Sequence, residues 1–216
     1  MRNILIIAGR ELGGYFSTPV ATVFIVIFLI LQGALTFNLG GFFSRGQADL
    51  NPFFTFIPWV FLLLVPAITM RLWAEERRLG TIELLLTFPF VITVNMLGSP
   101  DNGVIASGYV GSLLVAGAFL AVGSAMSALT RNQVIAFVLG VAVCFMFSVA
   151  SYPVVTDFLS RNTPVLADIA RHVAVIDRFD DFTRGLISVR DLVFFATFIG
   201  FWLYVNAVLV DQRKAD

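Results

Sequence analysis

Residues 102–130, NGVIASGYVGSLLVAGAFLAVGSAMSALT, contain no charged side chain. About 20 apolar residues carry a helix across the hydrocarbon core of a bilayer. Backbone groups in lipid must be satisfied within the segment, so a spanning run of this kind is helical. Small residues recur along it at four-residue spacing: Ser112 with Ala116, Ala121 with Ala125, Gly123 with Ser127. Such a face lets helix backbones approach closely in lipid. Gly108, Gly111, Ser112, Ala116, Gly123 and Ser127 are the helix-packing candidates, either within the chain or at a dimer or transport-path face.

Five further charge-free runs flank this one, at residues 12–44, 50–70, 84–100, 132–156 and 192–210. They place helices near 19–39, 53–72, 81–98, 104–129, 133–152 and 189–210. The third is short. Residues 84–98 would extend only about 22 Å at the helical rise, against a core of ~30 Å. Thr81 as N-cap and Glu83 in the first turn would lengthen it, and Pro89 would kink it. It spans with local thinning or is re-entrant. The chain has 216 residues, 58% hydrophobic and 13% charged, whereas a soluble domain carries roughly a quarter charged residues. The expectation is an all-α, polytopic membrane protein forming a single domain over 1–216. It has about six transmembrane helices, the third short, and its solvent is the lipid bilayer. The formal net charge of zero gives no global field that would draw it to nucleic acid.

Orientation follows from lysine and arginine. With six spans and the N-terminus inside, eight of these residues lie inside and six outside; with five spans the division is ten to four. The positive-inside rule leans toward five, but the five arginines at stake, Arg161 to Arg190, sit in one long connection interleaved with aspartates. Asp157 and Arg161, four apart, could pair there. Val165, Leu166, Ile169, Val173 and Ile176 repeat at helical spacing in the same connection, so part of it is expected to be an amphipathic helix on the membrane surface. At the other end, residues 1–18 place Ile4, Ala8, Leu12, Tyr15 and Phe16 on one side of a helix and Arg2 and Arg10 opposite, with Glu11 spoiling the separation. This predicts an interfacial helix before Pro19. The N-terminus lacks a convincing signal-peptide pattern and is expected to be retained.

A search for catalytic chemistry is empty. Cys144 is the only cysteine and His172 the only histidine, so neither an internal disulfide nor a histidine metal cluster is available. There is no G-x-x-x-x-G-K-[ST] loop, and Lys214 is the only lysine, so this chain supplies no nucleotide-phosphate loop of that kind. No carboxylate stands out within the spans as a proton relay. The chain is not expected to be an enzyme.

One polar interruption remains. Residues 71–83, RLWAEERRLGTIE, hold six charged side chains in 13. By composition this is a solvated loop. Continued to Pro89, the stretch Glu75-Glu76-Arg77-Arg78-Leu79-Gly80-Thr81-Ile82-Glu83-Leu84-Leu85-Leu86-Thr87-x-Pro89 closely resembles the segment after the second span of ABC-2-type transporter permeases. The similar branch includes permeases of gliding motility and of copper-enzyme maturation. Three more stretches match: Pro100-Asp101-Asn102-Gly103 with Gly108-Tyr109-x-Gly111; Ser127 to Phe137; and Phe182-x-Arg184-Gly185-x-Ile187-x-x-Arg190-Asp191-Leu192. The resemblance covers nearly the whole chain.

The resemblance implies an N-terminal interfacial helix (here with Arg2, Arg10 and Glu11), six spans, and two permease copies, identical or not, bound to two ATPase subunits. It implies no cofactor in this chain, with ATP and Mg held by the partner ATPase. It places the protein in the cytoplasmic (inner) membrane as a multi-pass protein with a cytoplasmic N-terminus. The stretch after span two would be a cytoplasmic coupling helix, with Glu75, Glu76, Arg77, Arg78, Gly80, Thr81 and Glu83 as contacts for the ATPase. One departure stands out: Thr87-Phe88-Pro89 runs straight into Phe90-Val91-Ile92, like an internal deletion around the third span. Two other readings follow from the sequence, a non-transporting scaffold or inactive truncated permease, and an ATP-independent channel or carrier.

Overall fold

The computed structural model of the chain describes residues 19–42, 49–69, 91, 94–96 and 98–215. Among the described residues there are helices and no strands. Helix α1, Pro19–Ala34, continues into a π-helical turn, Leu35–Leu39. Then come α2, Asn51–Thr69; α3, Asn102–Leu129; α4, Gln133–Val149; α5, Pro153–Asn162; α6, Pro164–Val173; α7, Val175–Thr183; and α8, Val189–Ala215.

Among the described residues, three helices are long and apolar enough to cross a membrane: α2, α3, and α8 through Gln212. A fourth exists only if α4 and α5 are counted as one broken span, because they meet at 80°. The segment Val23–Leu39 is a shorter apolar helix. The expected helices near 19–39, 104–129 and 189–210 are therefore present, and the one near 53–72 is present through Thr69, beyond which the chain lies outside the described residues. The one expected over 133–152 is cut short at Val149. Pro153 explains the break: it disfavours helical backbone at the residue before it, and Tyr152 is extended, at φ −60° and ψ 140°. The third expected helix, 81–98, lies largely outside the described residues. Its C-terminal part is helical at Val91 and over 94–96, with the Gly98 N–H donating to the Val94 carbonyl at 3.1 Å. The expected N-terminal interfacial helix, with Arg2, Arg10 and Glu11, lies outside the described residues as well.

Helix α3 forms the axis of the bundle, with α2, α4, α7 and α8 packed against it. The core between them is aromatic: Phe28, Phe54, Phe61, Phe119, Phe179, Phe182 and Phe195 are fully buried. Phe54 meets Tyr109 edge-on, and Phe28 stacks on Phe61. Outside this core the surface is apolar. Of the spanning stretch of α8, only 6% is buried within the chain, and Phe201 and Tyr204 are 59% and 69% exposed. Soluble monomers rarely carry contiguous apolar patches beyond a few hundred Å². Lipid as the solvent removes the conflict.

Two of the helix starts are built from the connector itself. The Asp101 carboxylate accepts from Gly103 N and Val104 N at 2.8 and 3.4 Å, capping α3. The Asn132 side chain does the same for α4, from Val134 N and Ile135 N at 2.9 and 3.4 Å. Each cap satisfies backbone donors that the helix leaves open. Replacing either residue by alanine is expected to cost about 1 kcal/mol, read as a lower thermal midpoint in detergent, while a neutral change at Leu129 leaves it unmoved.

Candidate functional site

The small residues of α3 are shared out among its neighbours. Gly108 faces α2: a Cβ there would stand 2.7 Å from the Phe54 ring. Gly111 faces α7, where a Cβ would meet the Phe182 Cβ at 2.6 Å and the Phe179 ring at 3.2 Å. Gly123 returns to α2, against Thr69, with the Thr69 Cβ at 2.9 Å from the same imagined atom. Ser112, Ala116 and Ser127 are buried between them. The Ser112 hydroxyl is satisfied locally, donating to the Gly108 carbonyl at 2.8 Å. Of the six packing candidates, the three glycines thus meet neighbouring helices of the same chain and the other three are buried within it.

Near the C-terminal end of α3, the surface beside Gly123 also meets α4. A Cβ on Gly140 would lie 3.1 Å from Pro66 and 3.8 Å from the Gly123 Cα. Pro66, Thr69, Gly123 and Gly140 thus bring α2, α3 and α4 together just before Met70. The stretch that follows, with Glu75, Glu76, Arg77, Arg78, Gly80, Thr81 and Glu83, lies outside the described residues.

Near the start of α3, α7 is wedged into the bundle. Val175, Phe179 and Phe182 are buried, and the Ser107 hydroxyl donates to the Phe182 carbonyl at 2.7 Å. Gly185, in the left-handed region at φ +84°, turns the chain toward α8 while lying against Val104. An ion pair joins the two helices: Arg178 donates to Asp191 Oδ1 at 3.1 Å, with side chains only 13% and 2% exposed. The Arg178 guanidinium also lies 5.5 Å from the centre of the Phe194 ring. Asp191 Oδ2 is buried without a hydrogen-bond partner among the described residues. A buried pair left half satisfied is weak evidence for stability, yet removing one partner strands the other charge.

Other polar groups sit inside the apolar body. Gln32 on α1 is 2% exposed and donates to the Phe53 carbonyl of α2 at 2.6 Å, beside Thr36 of the π-helical turn. Its Oε1 and the Asn206 Oδ1 of α8 are also unpaired among the described residues. In the long connection, Arg171 pairs with Asp168 and Arg184 with Asp180, each at 3.8 Å and exposed, so each contributes little. The pair that spacing allowed, Asp157 with Arg161, does not form. Burial pushes the Asp180 carboxyl above its ordinary value; Arg184 pulls it back, and Asp177 and Asp181 push it up again.

The sequence carried no local sign of the Arg178–Asp191 pair, whose members are 13 positions apart. The available signal was a carboxylate at the start of an otherwise apolar helix. Gln32 carried a similar signal as the amide within the first apolar run. Among the described residues no group of three or more His, Cys, Asp or Glu side chains could hold a metal ion. Comparison with protein-family models, with curated proteins and with solved structures finds no match to this chain.

Arg178→Ala is expected to destabilise the fold by about 3–5 kcal/mol, the cost of stranding a buried charge, with Arg178→Ala/Asp191→Ala less damaging than the sum of the singles. A double-mutant cycle on unfolding in detergent checks this, and simple additivity contradicts it. Asp180 has a raised folded-state pKa, so its contribution to stability is full below the unfolded carboxylate range and is lost as pH rises through the raised value. Asp180→Asn is expected to flatten the thermal midpoint across that window, measured by a pH series on both proteins.

Proposed function

We propose that this chain is the permease subunit of an ATP-driven transporter, moving a substrate across the cytoplasmic membrane, in the export direction, on energy supplied by a separate ATPase polypeptide. The observation that carries the reading is the charged run at 71–83, which follows directly on the apolar, proline-containing helix α2. A short segment with charges of both signs suits a polar groove on a soluble partner. Its attachment to a spanning helix allows force to pass between the two. The resemblance to ABC-2-type permeases at four stretches supports the same assignment. The residues of this sequence include no nucleotide-phosphate loop, which is consistent with energy supplied from elsewhere.

In this reading the chain spans six times with its N-terminus in the cytoplasm, and two permease copies meet two ATPase subunits. Glu75, Glu76, Arg77, Arg78, Gly80, Thr81 and Glu83 contact the ATPase, which holds ATP and Mg. The apolar exterior of α8 and the three long helices support a membrane setting.

The short third run, only 15 residues from 84 to 98, favours one other reading, a permease-like scaffold that binds the ATPase without transporting. Co-purification of the chain with an ATP-binding subunit tests both. Reversing the charges at Glu75, Glu76, Arg77 and Arg78 together is expected to abolish the association, and unchanged binding rejects the docking site. ATPase binding without nucleotide-driven transport in vesicles selects the scaffold. Transport by the chain alone, without ATP, rejects both in favour of a self-sufficient carrier.

A further inference from the structure

The turn into α3 carries the one Asn-Gly step in the sequence, Asn102-Gly103. Asparagine followed by glycine is the pairing most prone to spontaneous deamidation. Glycine has no side chain to obstruct its own backbone nitrogen as it attacks the asparagine carboxamide. Asp101, Asn102 and Gly103 are all exposed, so water reaches the step.

Hydrogen bonds hold the reactive groups apart. The Asn95 and Asn102 carboxamides form a reciprocal pair: Asn95 Nδ2 donates to Asn102 Oδ1 at 3.0 Å, and Asn102 Nδ2 donates to Asn95 Oδ1 at 3.1 Å. Asn95 is itself anchored, its Nδ2 also donating to the Val91 carbonyl at 2.9 Å. On the other side of the step, the Gly103 N–H donates to Asp101 Oδ1 at 2.8 Å. Glycine permits that approach, since a Cβ there would stand 3.1 Å from the same oxygen. Asn102 is also the first residue of α3. Ring closure needs the side chain and the following nitrogen nearly eclipsed about the Cα–C bond, and helical backbone turns that nitrogen away.

We propose that Asn102-Gly103 is a self-modification site, a succinimide-forming step held in check by Asn95 and Asp101. It stands apart from the permease reading and needs no partner chain. Hydroxide removes the Gly103 N–H proton, and the nitrogen attacks Asn102 Cγ. A C–N bond forms, the Cγ–Nδ2 bond breaks, and Nδ2 takes a proton from water and leaves as ammonia. Water then opens the succinimide at either carbonyl, giving aspartate or isoaspartate at position 102. Each guard opposes a different part of this sequence. Both bonds of the reciprocal pair must break before the Asn102 carboxamide can rotate onto its own main chain. The Asp101 carboxylate is too weak a base to take an amide proton, and its charge disfavours an amide anion beside it. The aspartyl product suits the first turn of a helix. Isoaspartate instead carries the main chain through its side-chain carbon, which lengthens the backbone between Asp101 and Gly103 and takes the cap off α3. The site therefore records each opening of the turn as a permanent change at the start of the bundle's axis.

The full chain in detergent micelles, incubated at mildly alkaline pH, tests this. Ammonia loss and isoaspartate at position 102 are read by mass spectrometry of the peptide that contains it. The denatured chain gives the unguarded rate. Folded protein is expected to convert several-fold more slowly, with Asn95→Ala and Asp101→Ala each recovering part of the difference. Thermal midpoints are read on the same samples and the incubation is held below the lowest of them, so that a faster rate reports lost hydrogen bonds and not a lost fold. Folded protein that converts at the denatured rate overturns the guarding, as does either alanine variant that converts no faster than its parent. A denatured chain with no product at position 102 overturns the site itself. Protein aged until rich in isoaspartate should melt below fresh protein, and an unchanged midpoint overturns the loss of the cap.

Discussion

Close approach at α3 is the constraint on which the rest of the structure depends. In lipid there is no hydrophobic force between helices, because acyl chains are as apolar as leucine, so association relies on dispersion contacts and a few polar ones. Those contacts fall off within an ångström of the optimum. Gly108, Gly111 and Gly123 remove the side chains that would hold α2 and α7 away. Phe54, Phe182 and Thr69 fill the space and bring three helices onto one axis. A single methyl at any of these glycines meets an atom at 2.9 Å or less, and in each case that atom belongs to a packed side chain rather than a free one.

Polar groups then set how the packed helices are aligned. The Gln32 amide ties α1 to the Phe53 carbonyl of α2. Arg178 and Asp191 tie the wedge α7 to the first turn of α8. Neither tie is fully satisfied, since Gln32 Oε1 and Asp191 Oδ2 lack partners among the described residues. In a low-dielectric interior each lone acceptor is a cost. These groups therefore contribute to position more than to stability: an apolar replacement could pack as well, but it would not choose one helix neighbour and one register over another.

How much of this is legible in the sequence depends on the range of the interaction. The long apolar runs gave α2, α3 and α8 because exclusion of charge from lipid acts at each residue separately. The caps at Asp101 and Asn132 act over two or three positions, and the small face of α3 is periodic. The end of α4 was missed because the apolar run continues through 150–156; the proline and the bend, not a charge, stop the helix. The stripe Val165, Leu166, Ile169, Val173, Ile176 was read as one amphipathic helix, but Ala174 is extended, at φ −68° and ψ 123°, which divides it between α6 and α7. The first part stays exposed, and α7 goes into the core. Only the tertiary fit of Phe179 and Phe182 over Gly111 distinguishes the two, and no local pattern encodes that fit. The residues expected to contact an ATPase lie outside the described region, so their reading still rests on the sequence.

The packing before Met70 nonetheless bears on how a motor could act on such a bundle. Thr69 is the last described residue ahead of the charged run, and it is seated on Gly123 at the place where Pro66 also meets Gly140. Protein interiors are close-packed and have low compressibility. A push delivered through residues 71–83 cannot be absorbed by compression between α2 and α3, since the Thr69 side chain is packed directly on Gly123 at that point. It must tilt α2, α3 and α4 together or pull the seat apart. At the other end of α3, Gly111 and Ser107 hold α7, so a tilt of α3 is felt there by the wedge. Under the proposed reading, α3 works as a lever between the charged run and the opposite face. Its glycine contacts give it stiffness, and its length lets a small tilt at Gly123 become a larger displacement at Ser107.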